Sequence, residues 1–136
     1  MKCYATIDTN VIVSSYLTTN QNSPTKIIVD GIFNGTITPL IHEGILNDYE
    51  KVLSRNKFNI DRENVKLLME AMLYNGIQTP RTFTEEKFID EDDRIFYEVT
   101  LSKEDENAYL VTGNKRHYPI KSFVVSPREM LNLIYQ

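Results

Sequence analysis

An aspartate, Asp8, closes the apolar run Cys3-Tyr4-Ala5-Thr6-Ile7, and two polar stretches of similar chemical character follow it far along the chain. One is the acidic window from Glu85 to Asp93, and the other is Gly113-Asn114 at the end of Tyr109-Leu110-Val111-Thr112. Mg²⁺ and Mn²⁺ prefer such oxygen ligands, often one or two carboxylates with water for the rest, and an ion so held activates a water for attack on phosphorus. Asp8, Asp92 or Asp93, and Asn114 therefore outline a metal-dependent phosphoryl-transfer centre, provided the fold brings them together. Each residue also has an ordinary reading. Asp after a strand is a common turn or cap residue, acids in a first helical turn favour its positive end, and an acidic stretch is often a solvated loop.

The elements that must position these residues are legible from periodicity and punctuation. Cys3 to Ile7 reads as a buried strand opening into a helix marked by Val11, Ile12, Val13 and Tyr16. Ser23-Pro24 starts a second helix that stops at Asn34-Gly35. Thr36 to Ile41 is a strand candidate, with Pro39 placing it at an edge or strand end. From Glu43 to about Arg55, Ile45, Leu46, Tyr49, Val52 and Leu53 share one arc of a helical wheel. Asp61 caps the next helix, with Ile60 and Val65 as a hydrophobic staple, and Val65, Leu68, Met69 and Met72 recur along it. These two helices form an αα-hairpin joined around Asn56 to Asn59. Asn75-Gly76 ends it, and Ile77 to Pro80 is a small extended piece. Ile95, Phe96 and Val99 define a helix after the acidic window, its first turn holding Asp92 and Asp93. Tyr109 to Thr112 and Phe123 to Val125 are strands, and Ser126-Pro127 opens a closing helix to Tyr135.

Strands alternating with helices predict an α/β layer architecture with a mostly parallel central sheet. In such a sheet the strand carboxyl ends share one edge, so residues just after separate strands converge there. No repeat, linker or low-complexity tract divides residues 1–136, which are read as a single domain.

With 136 residues, 41% hydrophobic and 25% charged, the chain is long enough for a core without staples. Its one cysteine, Cys3, excludes an internal disulfide and reads as a small buried hydrophobe. No signal-peptide core or membrane-length apolar run is present, so a reducing cytoplasm is expected. The net charge of -4 speaks against nucleic acid until its distribution is considered. Six acids (Glu85, Glu86, Asp90, Glu91, Asp92 and Asp93) crowd the acidic window beside Lys87, leaving 13 acids against 14 bases elsewhere. A near-neutral body with one concentrated acidic patch suits a bound cation that mediates contact with phosphates.

Three strings carry a resemblance. Asp8-Thr9-Asn10-Val11-Ile12-Val13-Ser14 closely resembles the opening motif of PIN-domain nucleases, and Asp90-Glu91-Asp92-Asp93-Arg94-Ile95-Phe96 and Leu110-Val111-Thr112-Gly113-Asn114-Lys115-Arg116 resemble two further signatures in matching order and spacing. The resemblance covers the whole chain and is closest to the VapC-like ribonuclease toxins of toxin-antitoxin pairs. It implies a three-layer α/β/α, Rossmann-like fold and a pocket that uses Mg²⁺ or Mn²⁺ to hydrolyse RNA to a 5′-phosphate and a 3′-hydroxyl. Carried over by position, the catalytic, metal-holding acids are Asp8, Asp48 and Asp93, with Asp90 and Asn114 in support. Asp48 comes from resemblance alone, in Asn47-Asp48-Tyr49-Glu50, since Asp48 and Glu50 flank the apolar arc symmetrically; Glu43 and Glu50 remain alternatives. Where many members have Thr-Gly-Asp, this chain has Thr112-Gly113-Asn114, and an amide brings no charge, so affinity for a second ion should fall.

Thr9, Asn10, Ser14 and Thr112 are placed to orient carboxylates or waters, or simply to cap backbone after a strand. Lys115, Arg116, Arg55 and Lys57 are the candidate RNA contacts, with His117 following the first two as a further phosphate contact, though His42 and His117 each read first as structural or surface residues. Met69, Met72 and Tyr74 lie on a helix stripe that reads as core rather than as a partner surface. An antitoxin and a second copy of the chain are the partners the resemblance implies. Aspartyl phosphatases need a second acid two residues after the first aspartate, where this chain has Asn10, and receiver domains want paired acids there. The remaining alternative is a PIN module that binds RNA or metal with its cleavage weakened by Asn114.

Overall fold

A computed structural model describes residues 2–135; Met1 and Gln136, the ends of the expected domain, lie outside the described residues. The elements run β1 (Tyr4–Ile7), α1 (Thr9–Leu17), α2 (Pro24–Asn34), β2 (Thr38–Ile41), α3 (Glu43–Leu53), α4 (Arg62–Asn75), β3 (Ile77–Gln78), α5 (Arg94–Leu101), β4 (Tyr109–Val111), β5 (Val124–Val125) and α6 (Pro127–Ile134). The five strands form one sheet in the order β3-β2-β1-β4-β5, and every pairing is parallel. Helix α5 packs over β1, β2 and β4 beside α3, while α2 packs with α4 and α6, giving the three-layer α/β/α arrangement.

The core follows from the apolar pattern. β1 buries Ala5, Thr6 and Ile7, as a central strand covered on both faces must. Tyr49, Phe96 and Tyr97 are its largest fully buried side chains, and the rings of Tyr49 and Phe96 stand 6.2 Å apart between α3 and α5. Truncating Phe96 to alanine would cost about 3–5 kcal/mol, the usual range for a large buried aromatic. Met72 is fully buried and Met69 packs against the core, but Tyr74 is almost wholly exposed, so only part of that stripe is core. Cys3 is half-buried, and burial pushes its thiol pKa up.

Pro39 is not on an edge strand, because β2 lies between β1 and β3. The Thr38 amide donates to Cys3 of the β1 segment, so by alternation the donorless Pro39 nitrogen faces β3, where pairing starts only at Leu40 opposite Ile77. Gly76 turns the chain from α4 into β3 so tightly that a Cβ there would run into the carbonyl oxygens of Met72 and Pro39. The acidic window also differs from expectation. Glu91–Asp93 is a separate 3-10 turn ahead of α5, and its cap is Asp90, whose carboxylate accepts from the Asp92 amide. Among the described residues no helix is long and apolar enough to cross a membrane.

Candidate active site

The strand order reverses direction at β1, with β2 on one side and β4 on the other, and a crevice opens at the carboxyl ends of strands at such a switch point. Asp8 sits there. Its backbone amide donates to Val111 at 2.9 Å, which sets it beside the end of β4, and its carboxylate accepts from the Asn10 amide to cap α1. The capping contact uses Oδ1 at a long 3.4 Å; Oδ2 is held far better, accepting from the hydroxyls of Thr112 and Tyr118, each at 2.8 Å. One oxygen of this buried carboxylate is thus well supplied by the protein, and the other carries only the long capping contact.

Asp48 and Asp93 reach the same cavity from other directions. Helix α3 begins straight after β2 and places Asp48 opposite α1, where Thr9 donates its hydroxyl to Oδ2 at 2.5 Å. Tyr49, the next residue, anchors that helix by donating to the Ile7 carbonyl at 2.5 Å. Asp93 stands at the start of α5 but makes no side-chain cap bond; its Oδ2 lies 3.3 Å from Nδ1 of His117. Asp8, Asp48, Asp90, Asp92, Asp93, Asn114 and His117 all line one cavity of about 730 Å³. Its lining also includes apolar and basic side chains, Val13, Leu17, Val52, Phe58, Lys51 and Arg55.

Electrostatics reflects the crowding. Burial is the main cause raising the Asp8 pKa, the two hydroxyls oppose it, and the charge of Asp48 adds to it. Asp93 is pushed up to about 6 by burial and by the charges of Asp8 and Asp90, with His117 acting in the other direction. No Lys or Arg side chain pairs with Asp8, Asp48 or Asp93 among the described residues. Partly desolvated carboxylates without a Lys or Arg partner are the donor chemistry that a hard divalent cation satisfies. Among the described residues no three acidic, histidine or cysteine side chains are already drawn around one ligand point, since Asp48 is held on Thr9 and Asp93 on His117. One or two carboxylates with water suffice for Mg²⁺, so the residues fit such an ion without a finished cage.

The remaining expected residues divide. Thr9, Asn10 and Thr112 serve the site: Thr9 holds Asp48, Thr112 holds Asp8, and Asn10 ties the Gly113 amide to α1 at 3.0 Å. Ser14 lines the cavity, but its hydroxyl pairs with Thr25 at 3.3 Å and not with a carboxylate. Glu43 and Glu50 stay outside the cavity, Glu50 being paired with Arg62. Of the basic candidates, Arg55 lines the cavity, Lys115 is engaged by Glu129 at 2.9 Å, Arg116 lines neighbouring clefts, and Lys57 lies over the Phe58 ring at 5.1 Å. His42 is structural, accepting from the Gly44 amide to cap α3.

Sequence reading missed Tyr118, Lys51 and the contact of His117 with Asp93. It also missed Glu98, fully buried in α5 yet central to the irregular 79–90 segment that leads into the acidic turn. Glu98 accepts from Arg81 and from the Thr84 amide, while Arg94 donates to the carbonyls of Thr84 and Glu86. This network holds the approach to Asp90 and Asp93.

A PIN-domain family model matches residues 4–116, a span that includes Asp8, Asp48, Asp93 and Asn114 and ends just before His117. No curated protein and no solved structure matches the chain.

Proposed function

The chain belongs to the PIN-domain family, whose members are generally nucleases that use divalent metal ions, and on that premise we propose that it is a Mg²⁺- or Mn²⁺-dependent endoribonuclease, the toxin of a toxin-antitoxin pair. The observation that carries the nuclease reading is the convergence of Asp8, Asp48 and Asp93 on one cavity with no Lys or Arg partner among the described residues. These three carboxylates would hold the ion, with Asp90 and Asn114 in support. Bound there, the ion supplies Lewis acidity toward the phosphate and an activated water.

The protein's own contribution is placement. Thr112 and Tyr118 fix the Asp8 carboxylate, Thr9 holds Asp48 and His117 holds Asp93, so each acid is oriented by a partner of its own before an ion binds. Lys51, one turn beyond Asp48 on α3, and Arg55 line the same cavity and are the cations available there to take flanking phosphates. RNA as the substrate, and the toxin role, are supported by the likeness of Asp8 to Ser14, Asp90 to Phe96 and Leu110 to Arg116 to VapC-like motifs.

The test is cleavage of RNA by the purified chain with Mn²⁺ or Mg²⁺, with chelator, and with Asp8→Asn. Metal-stimulated cleavage that leaves 5′-phosphates and is lost in the variant supports the reading; equal cleavage by Asp8→Asn overturns the site. Asn114 favours one second reading, an RNA-binding module with weakened catalysis, which RNA retention without metal-stimulated cleavage would support. Growth arrest on expression, relieved by the product of an adjacent small open reading frame, tests the toxin role; expression without effect on growth opposes it.

A further inference from the structure

Asn114 stands where many members of the family have an aspartate, and its side chain is engaged by the protein itself. Its Nδ2 lies 3.0 Å from Nε2 of His117, and the other ring nitrogen, Nδ1, lies 3.3 Å from Oδ2 of Asp93. A short 3-10 turn at Lys115–His117 folds the ring back over the amide, with the His117 amide donating to the Asn114 carbonyl at 3.1 Å. The main chain of Asn114 is fixed as well, its N–H donating to Thr112 Oγ1 at 3.0 Å, the same hydroxyl that donates to Asp8. Asn114 is thus tied at backbone and side chain, and its side-chain bond leads to Asp93 through one imidazole.

Amide chemistry makes this chain of contacts directional. A neutral imidazole donates from one nitrogen and accepts at the other, and the partner of each nitrogen decides which is which. An amide NH₂ beside Nε2 makes that nitrogen the acceptor, which leaves the proton on Nδ1, facing the carboxylate of Asp93. A carboxylate at position 114 would not donate to Nε2 at all.

Resting on the metal-dependent reading above, we propose that Asn114 is a positioning residue that acts through His117 on Asp93, and that it is not a ligand of the ion. The family's fourth acid is then replaced here by a two-residue clamp that orients the third. The His117 ring stands between the start of α5 and the segment after β4, where it holds Oδ2 of Asp93, and both residues line the cavity.

The experiment is a double-mutant cycle on Mn²⁺ affinity of the full chain, by calorimetry, with Asn114→Ala, His117→Ala and the double variant. Removing a group that orients a metal ligand typically weakens binding about 10–100-fold. Each single variant is expected to weaken Mn²⁺ binding about tenfold, and the double variant no more than His117→Ala alone, because both act on one path. A double variant weakened by the product of the two effects overturns the proposal, as does Asn114→Ala weakening binding while His117→Ala does not. Asn114→Asp that tightens binding tenfold or more also overturns it, since position 114 would then face the ion.

Nitrogen NMR of the imidazole in the metal-free chain gives an independent readout. The expected spectrum has His117 protonated on Nδ1, with that preference lost in Asn114→Ala; wild type neutral and protonated on Nε2 refutes the clamp. A wild-type chain that binds no Mn²⁺ defeats the nuclease reading and the metal role of the clamp together. Binding with additive effects defeats the clamp alone.

Discussion

The Tyr118 hydroxyl donates to Oδ2 of Asp8 at 2.8 Å, joining residues 110 positions apart in the chain. Thr112 donates to the same oxygen at the same distance, so the carboxylate is held by two hydroxyls that nearly exhaust one of its oxygens. A hydrogen bond to a charged group contributes about 1.5–3 kcal/mol, and leaving the acceptor buried without it costs in the same range. Tyr118→Phe removes the donor and keeps the ring packed near Phe88, whose centroid is 6.2 Å away. The expected outcome is a folded variant whose Mn²⁺ affinity and cleavage rate each fall roughly tenfold or more, measured by calorimetry and on a labelled RNA. Unchanged affinity and rate would mean that Thr112 alone suffices.

Asp8→Asn separates catalysis from folding. The raised pKa of Asp8, due first to burial and also to Asp48, means that its charge opposes the metal-free fold. Asparagine can still accept from Thr112 and Tyr118 at its one carbonyl oxygen, while its NH₂ replaces the oxygen that meets the Asn10 amide and gives up only that long 3.4 Å capping contact. Cleavage is expected to vanish while the metal-free melting temperature rises by a few degrees at pH 7.5. A variant that melts well below wild type would show that the charge is needed for folding.

How much of this was legible in the sequence depended on distance along the chain. Asp8, Thr112 and the helix starts at Pro24, Arg62 and Pro127 announce themselves through local rules, a strand end or a cap followed by an apolar period. Pro39 looked like an edge residue because local chemistry says only that a donor is missing, not which neighbour begins late. Asp92 and Asp93 read as first-turn acids of the helix after the window, but they belong to a 3-10 turn that precedes α5 and is capped by Asp90. Tyr118 and Glu98 carry no local mark, since their partners come from tertiary packing. His117 did carry one: Asn114 lies three residues before it, a spacing a single turn closes, whereas its other partner, Asp93, is 24 positions away.

Asp93 sets a pH dependence. Its pKa in the folded chain is raised from 3.8 to about 6, by burial first and then by Asp8 and Asp90. For an acid raised on folding, the folded state holds more protons through this window, so the contribution is fully present below the unfolded value and is lost as pH rises through about 6. In chelator, Asp93→Asn is therefore expected to gain melting temperature relative to wild type between pH 5 and 7.5, and saturating Mn²⁺ should reverse that order at pH 7.5. A difference that is constant across pH would show that Asp93 does not titrate in this range.

Glu98 tests the segment that delivers the acidic turn. Its carboxylate is wholly buried between Arg81 and Arg94, whose side chains are 30% and 21% exposed. Removing one member of a buried ion pair typically costs about 3–5 kcal/mol, and the partial exposure of both arginines places Glu98→Gln at the lower end, roughly 3 kcal/mol. Urea denaturation measures this loss. Because the same carboxylate holds the Thr84 amide, Mn²⁺ affinity should fall in parallel in the variant that remains folded at low temperature. Stability lost with affinity intact would detach the segment from the site.

Lys51 and Arg55 make the last case, since net charge and local field point in opposite directions. The chain carries -4 overall, yet these two cations share the cavity with five aspartates and pair with no acid among the described residues. A phosphate contact releases counterions, and for single strands each contact adds roughly 0.7 to the slope of log affinity against log salt. Lys51→Ala and Arg55→Ala should each lower that slope by about this amount and weaken RNA binding at low salt, with a smaller effect at high salt. Lys57→Ala, by contrast, loses a cation that sits over Phe58 outside the cavity lining, and it should leave the slope unchanged. Binding measured with Asp8→Asn in Ca²⁺, to keep RNA intact, checks all three; a slope lowered equally by Lys57→Ala would move the RNA path off the cavity wall and onto the hairpin tip.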